Sequence, residues 1–214
     1  MSKKKVFLIS IIVLLIATIG FFYFFGEKIV NYIENKEFER LFAVGEDYSF
    51  QNNSEGNYLI NKKDGLSLKI PENWKVATGT SSLGFPSEKD TTLFSPDFNL
   101  RPPKGCMITI EITRAKNDKE RGGFIMPTVE ELNETIQSSK NSSTTEGYPF
   151  REIIIVNQRE SLKEAYPPHE GVITIKYMHI SVPTEDKVYS FDFVSSTEEC
   201  DKEFDNLLKT ILIQ

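Results

Sequence analysis

Histidine is scarce in this sequence, with two among 214 residues, His169 and His179. They form no His-Glu-x-x-His or His-x-His pattern, and a metal site needs three or four converging ligands. His169-Glu170 follows Pro167-Pro168 in an expected loop, and His179 falls in an expected strand. An exposed loop histidine and a strand histidine satisfied by hydrogen bonds are the readings these settings favour. No serine stands in a Gly-x-Ser-x-Gly elbow. Gly79-Thr80-Ser81-Ser82-Leu83-Gly84 has the wrong spacing for a phosphate-cradling loop and lacks its lysine. Asn117 to Gly122 has the outline of a calcium loop, but Lys119 and Arg121 occupy ligand positions. Glu130-Glu131 and Glu198-Glu199 are explained by helix starts, where the dipole favours negative charge. These absences point away from an enzyme. No catalytic, metal-ligating or cofactor-binding residue is assigned and no cofactor is expected. The alternative is an envelope hydrolase or metal-dependent enzyme with an unrecognised site.

Cysteine is limited to Cys106 and Cys200, neither in a Cys-x-x-Cys motif, which argues against redox or zinc roles. Outside the cytoplasm an even count favours pairing, so a structural Cys106–Cys200 disulfide is expected; two separate buried thiols are the alternative. Basic charge is also short. Removing Lys3, Lys4 and Lys5 from the 25 basic residues leaves 22 against 31 acidic, a formal charge of −9. That argues against nucleic acid, which asks for a basic face, and against electrostatic docking on anionic lipid. Solubility alone accounts for most of the acidity. The only tryptophan, Trp74, is expected to cover one end of the core, with ligand stacking as the lesser reading.

What the chain does have is one long uncharged run, Val6 to Phe25. Twenty residues at the helical rise span about 30 Å, the thickness of a bilayer's hydrocarbon core. Lys3, Lys4 and Lys5 precede it, which keeps the N-terminus cytoplasmic and places the rest outside. A cleaved secretory signal is the competing reading. It wants a shorter apolar region and small residues at the cut, whereas this run ends in Phe21-Phe22-Tyr23-Phe24-Phe25.

Beyond the run, Glu27 to Phe42 has helix-forming composition and is expected to form a stalk, with Gly45 to Gly56 as a polar linker. Asn57–Ile60 and Leu66–Ile70 form an expected hairpin around Asp64-Gly65, closed by Pro71. Further strands are expected at Thr91–Ser95, Cys106–Thr113, Phe150–Val156, Val172–Val182 and Lys187–Ser195. In the Cys106 strand, Ile108, Ile110 and Ile112 point inward. Ile153-Ile154-Ile155-Val156 is apolar on both faces, which suggests a central strand. The parity switch around Tyr177 implies a bulge or cover on both faces. Arg114 to Gly123 reads as charged and exposed, and Ser161 to Tyr166 as a turn of helix. Capping boxes at Thr128-Val129-Glu130-Glu131 and Ser196-Thr197-Glu198-Glu199 start two helices. In the second, Cys200, Phe204, Leu207, Leu208 and Ile211 share one stripe that must pack on a sheet.

Gly65-Leu66-Ser67-Leu68-Lys69-Ile70-Pro71-Glu72-Asn73-Trp74 resembles the opening hairpin of the PsbP-like family. Val188-Tyr189-Ser190-Phe191, followed by the helix over 197–212, is similar to that family's closing strand and helix. The resemblance covers residues 57–214 and its motifs are structural. It implies an α+β fold, an α/β/α sandwich: a central antiparallel sheet with helices packed on its faces, here preceded by one transmembrane helix. Bacterial relatives of this kind are exported lipoproteins or membrane-anchored domains of unassigned role. This chain has no lipid-attachment cysteine, and the apolar run takes that part. No ligand or partner-binding residue carries over.

The expected organisation is a cytoplasmic tip and signal anchor over 1–25, a juxtamembrane stalk and linker over 26–56, and an extracytoplasmic domain over 57–214. The expected function is a non-enzymatic binding or accessory module of the cell envelope, held by the N-terminal helix. Its partners are then the membrane and an envelope protein complex. The loops Thr78–Asp90, Asp97–Gly105 and Ser138–Gly147 are the expected contact surfaces, since function sits on loops carried by a rigid sheet.

Overall fold

The computed structural model describes residues 3–78, 91–100, 103–123, 126–141, 149–166 and 175–214. Two units make up the chain, residues 1–40 and residues 41–214. The first is helix α1, Lys3–Leu41, continuous over 39 residues and containing the whole Val6–Phe25 run. Thr18 Oγ1 donates back to Leu14 O at 2.8 Å, which satisfies the hydroxyl within the helix. Ion pairs Lys36–Glu39 and Arg40–Glu37 support its C-terminal turns. Most side chains of the apolar run lie outside the described set. Among the described residues no helix is long and apolar enough to cross a membrane.

The second unit is mixed α+β with two antiparallel sheets. Four strands form the smaller sheet: β1 (Tyr48–Asn53), β2 (Gly56–Asn61), β3 (Leu66–Lys69) and β13 (Leu212–Ile213), in that order. The larger has seven: β4 (Lys75–Thr78), β5 (Thr91–Phe94), β8 (Cys106–Thr113), β12 (Val188–Ser195), β11 (Lys176–Pro183), β10 (Arg159–Tyr166) and β9 (Phe150–Val156). A two-stranded ribbon, β6 (Asn99–Leu100) with β7 (Pro103–Lys104), precedes β8. The helices are the single turn α2 (Asp118–Arg121), α3 (Val129–Asn141) and α4 (Glu198–Leu208).

Alternation within strands decides which residues form the core. Ile108, Ile110 and Ile112 of β8 and Tyr189, Phe191 and Phe193 of β12 are fully buried on one face of the large sheet. Against that face pack Cys200, Phe204 and Leu207 of α4, together with Leu59, Leu66, Leu68 and Ile213 of the small sheet. Phe193 and Phe204 stack with ring centroids 4.3 Å apart. On the opposite face, Val129, Leu132 and Ile136 of α3 cover Leu162, Val188 and Ile153. The expected plain α/β/α sandwich is therefore corrected: α4 shares its layer with a second sheet.

Other expectations change as well. Gly45 to Gly56 is no linker: Gly45–Asp47 is a 3-10 turn and Tyr48–Asn53 is strand β1. Ala43 N donates to Ile112 O at 3.0 Å, so the compact unit begins at Leu41, not Asn57. β9 is an edge strand, not a central one, and Ile155 is 66% exposed. Ser161 to Tyr166 is strand, joined to β9 by a turn in which Asn157 and Gln158 both have positive φ, 47° and 64°. Of the expected strand Val172–Val182, positions 172–174 lie outside the described residues; from Lys176↔Ser195 to Pro183↔Val188 the β11–β12 register runs unbroken, so no bulge lies at Tyr177. In the Thr128 capping box, Thr128 N donates to Glu131 Oε2 (2.8 Å) and Glu131 N to Thr128 Oγ1 (3.2 Å). At α4 the cap is Thr197, one residue later than expected.

Candidate functional site

Beyond the part that α3 packs on, the same face carries a polar row that crosses the large sheet, buried at its Thr92–Thr109 end and opening toward Arg151. In register, Thr92 stands opposite Thr109, Thr109 opposite Asp192, Asp192 opposite His179, His179 opposite Glu164, and Glu164 opposite Arg151. Each is a directly paired position, where side chains on one face meet. Arg151 Nε donates to Glu164 at 2.8 Å, and His179 Nδ1 lies 2.7 Å from Asp192 Oδ1. Tyr177 Oη donates to the same Asp192 oxygen, and Ser181 Oγ lies 2.7 Å from His179 Nε2. Burial pulls the His179 pKa down, but the Asp192 hydrogen bond and the charges of Asp192, Glu164 and Glu111 outweigh it, so the value is raised. Burial, then Asp192, push the Tyr177 phenol up. Tyr166 and Tyr177 flank the row with ring centroids 5.3 Å apart.

Ser181, His179 and Asp192 thus form a serine–histidine–aspartate chain of hydrogen bonds. Nucleophilic use needs a serine that a substrate carbonyl can reach, with amide donors free to hold the oxyanion. Ser181 is 1% exposed and sits inside β11, paired with Leu162 and Ser190 on the neighbouring strands. Its hydroxyl orients the imidazole. The expectation of a strand histidine satisfied by hydrogen bonds describes His179 well. His169 lies outside the described residues, as do positions 79–90, 101–102 and 142–147 of the expected contact loops.

A second polar network is sealed inside. Arg114, expected to be exposed, is 14% exposed and donates through Nε and Nη2 to Asp64 at 2.7 and 2.6 Å, and through Nη2 to Asp47 at 2.8 Å. It also donates to Phe42 O. Asn61 Nδ2 and the Asp64 amide close the far side, each at 3.0 Å, and Tyr189 Oη donates to Asp64 O. Burial raises the Asp47 pKa, but bonds from Arg114, the Val44 amide and Lys63 outweigh it and leave it lowered. Burial and Asp64 push Tyr189 up to about 12. These groups tie the entry turn, the β2–β3 turn and the end of β8 together.

The third feature is a concavity. Cys106 and Cys200 are bonded, Cα to Cα 5.5 Å, joining the start of β8 to the first turn of α4. Beside the bridge lies a pocket of about 310 Å³ lined by Trp74, Ser95, Asp97, Glu199 and Glu203 with the two cysteines. Trp74 packs partly on the core, as expected of it, and also walls this pocket. Ser95 Oγ donates to Asp97 at 2.9 Å; that bond, against a small desolvation, holds the Asp97 pKa low. Gly105 allows the turn over it: at φ +75°, a Cβ there would stand 2.4 Å from Ser95 Oγ.

No family model matches the chain, the PsbP-like one included, and no curated protein matches it. Among solved structures, it is similar to a protein of Bacteroides thetaiotaomicron, with 11% identity and a TM-score of 0.43, over 70% of this chain and 45% of that one. The chain thus spans less than half of that protein's length. It is also similar to LpqN of Mycobacterium tuberculosis, described as involved in cell envelope biogenesis, with 12% identity and a TM-score of 0.37, over 68% and 82% of the two chains. Overlaps at this level transfer no activity.

Proposed function

We propose that this chain is a single-pass, membrane-tethered domain of the cell envelope, PsbP-like in its sheet-and-helix plan, that works by binding and not by catalysis. The observation that carries the reading is α1: 39 helical residues whose uncharged stretch Val6–Phe25 follows three lysines. In a bilayer such a helix satisfies every backbone amide internally, and its lysines hold the N-terminus on the cytoplasmic side. The Cys106–Cys200 bridge suits a domain folded in an oxidising compartment. Partners are the membrane and an envelope complex. Protease added to intact spheroplasts is expected to digest the Leu41–Gln214 unit; full protection overturns the orientation.

One observation favours a hydrolase as the second reading, the Ser181–His179–Asp192 chain of hydrogen bonds. A fluorophosphonate probe distinguishes the two. Labelling that is lost in Ser181→Ala makes the domain an enzyme, and absence of labelling supports the binding reading.

A further inference from the structure

We propose that the pocket between Trp74 and the first turns of α4 takes an organic ammonium group. The inference rests on reading the Leu41–Gln214 unit as a binding domain, but not on its place in the cell. At about 310 Å³ the pocket stands at the small end of the range for small-molecule sites, about 300–1,000 Å³. One wall is the indole of Trp74, steadied by the core behind it. Indole is the best of the aromatic faces for a cation.

Asp97, Glu199 and Glu203 supply the charge. Glu199 and Glu203 are one helical turn apart on α4, so they lie on the same face. Among the described residues neither has a cationic partner, whereas Asp201 on the same helix is taken by Lys176. Besides Ser95, Asp97 meets one cation among the described residues, Lys104, at 3.6 Å and well exposed. The N-terminus of α4 opposes a cation with about half a positive charge. Three carboxylates outweigh it. No group of three acidic, histidine or cysteine side chains among the described residues converges closely enough to hold a metal ion. A bare divalent ion needs its oxygens at about 2.0–2.6 Å. An alkylammonium needs no such convergence and can be met by the carboxylates and the indole that line the pocket together.

Trp74 is the only tryptophan, so indole emission reports this pocket directly. The full chain in a non-ionic detergent is titrated with n-butylammonium chloride. Sodium chloride and sodium butyrate at equal ionic strength are the controls, and calorimetry is the second readout. N-acetyl-lysine amide is titrated in parallel; the tighter of the two amines says whether a free amine or a lysine of a partner is the natural source. The expected result is saturable binding of at least one amine. It weakens at least tenfold in Glu199→Gln with Glu203→Gln, which keeps a cooperative melting curve lowered by no more than the loss of a helix-start charge, since both sites are at least partly exposed. Absence of saturation by both readouts overturns the proposal. So does an equal response to butyrate, tighter binding of calcium than of either amine, or unaltered affinity in the double variant. Failure here leaves the spheroplast result intact, and the reverse also holds.

Discussion

Two polar networks in one domain use the same residue types to opposite ends. The Arg114–Asp64–Asp47 group joins segments 50 and 67 residues apart, and Asp64 within it is 1% exposed. The Arg151–Glu164–His179–Asp192 row joins only neighbours on adjacent strands and opens toward one end: Arg151 is 51% exposed, while Glu164, His179 and Asp192 stand at 15%, 18% and 22%. A sealed set of charges is tolerated because its hydrogen bonds are filled, and it fixes which turns meet. Only the exposed Arg151 end of the row contributes little to stability and remains free to respond to solvent or to a partner.

The largest expected effect breaks the sealed network. Arg114→Ala strips the buried Asp64 of its two-bond partner, leaving only one cation among the described residues, Lys187 at 3.7 Å, and is expected to cost about 3–5 kcal/mol, read from the urea midpoint. Arg114→Met combined with Asp64→Asn is expected to recover a large part of that loss, since it removes both charges. A double variant no better than the single one would show that these residues hold the fold by shape alone. Next in size is a change that touches neither network. Cys106→Ser with Cys200→Ser opens a loop of 94 residues and is expected to cost about 2–4 kcal/mol by the same assay.

The two networks are also expected to fail at opposite ends of the pH scale. Asp47 has its folded pKa below the usual 3.8, so its contribution is present above that value and lost as pH falls through the folded one. His179 has its folded pKa above the usual 6.5, so its contribution is full below 6.5 and lost as pH rises through the folded value. Melting temperatures of wild type and His179→Gln are therefore expected to converge as pH rises from 6 to 8, by comparison at fixed salt. A constant gap would mean that His179 contributes packing and no charge. The smallest effect is at the open end of the row, where Arg151→Ala is expected to change stability by about 0–1 kcal/mol.

How much of this was legible in the residues depends on distance along the chain. Hairpins with strong alternation, β2–β3 and β11–β12, are written locally, and so is the cap of α3. The His179–Asp192 pair follows from the β11–β12 register, and Ser181 shares His179's face by period two, so that cluster could have been found by aligning the hairpin. β10 could not: Leu162-Lys163-Glu164-Ala165 are helix formers, overridden by pairing on both sides. Its turn hides too, because Gln158 adopts positive φ without being the residue expected there. Arg114 looked exposed because a charged run around it masked partners that lie 50 and 67 residues earlier. The Trp74 pocket gathers residues from three distant stretches, and no spacing rule joins them.

The pairing of β13 with β3 has a consequence in time. Ile213 stands opposite Leu66, and its carbonyl receives the Asn157 side-chain amide at 2.8 Å. The small sheet is therefore completed by a contact of very long sequence separation, which carries a large loop-closure cost before any reward. The Tyr48–Lys69 strands can meet early, but their last neighbour arrives only after almost the whole unit has been made. Until then Leu66 and the β9–β10 turn wait without their final seal. The small sheet is thus expected to close last along β3, the outer strand of the β2–β3 hairpin.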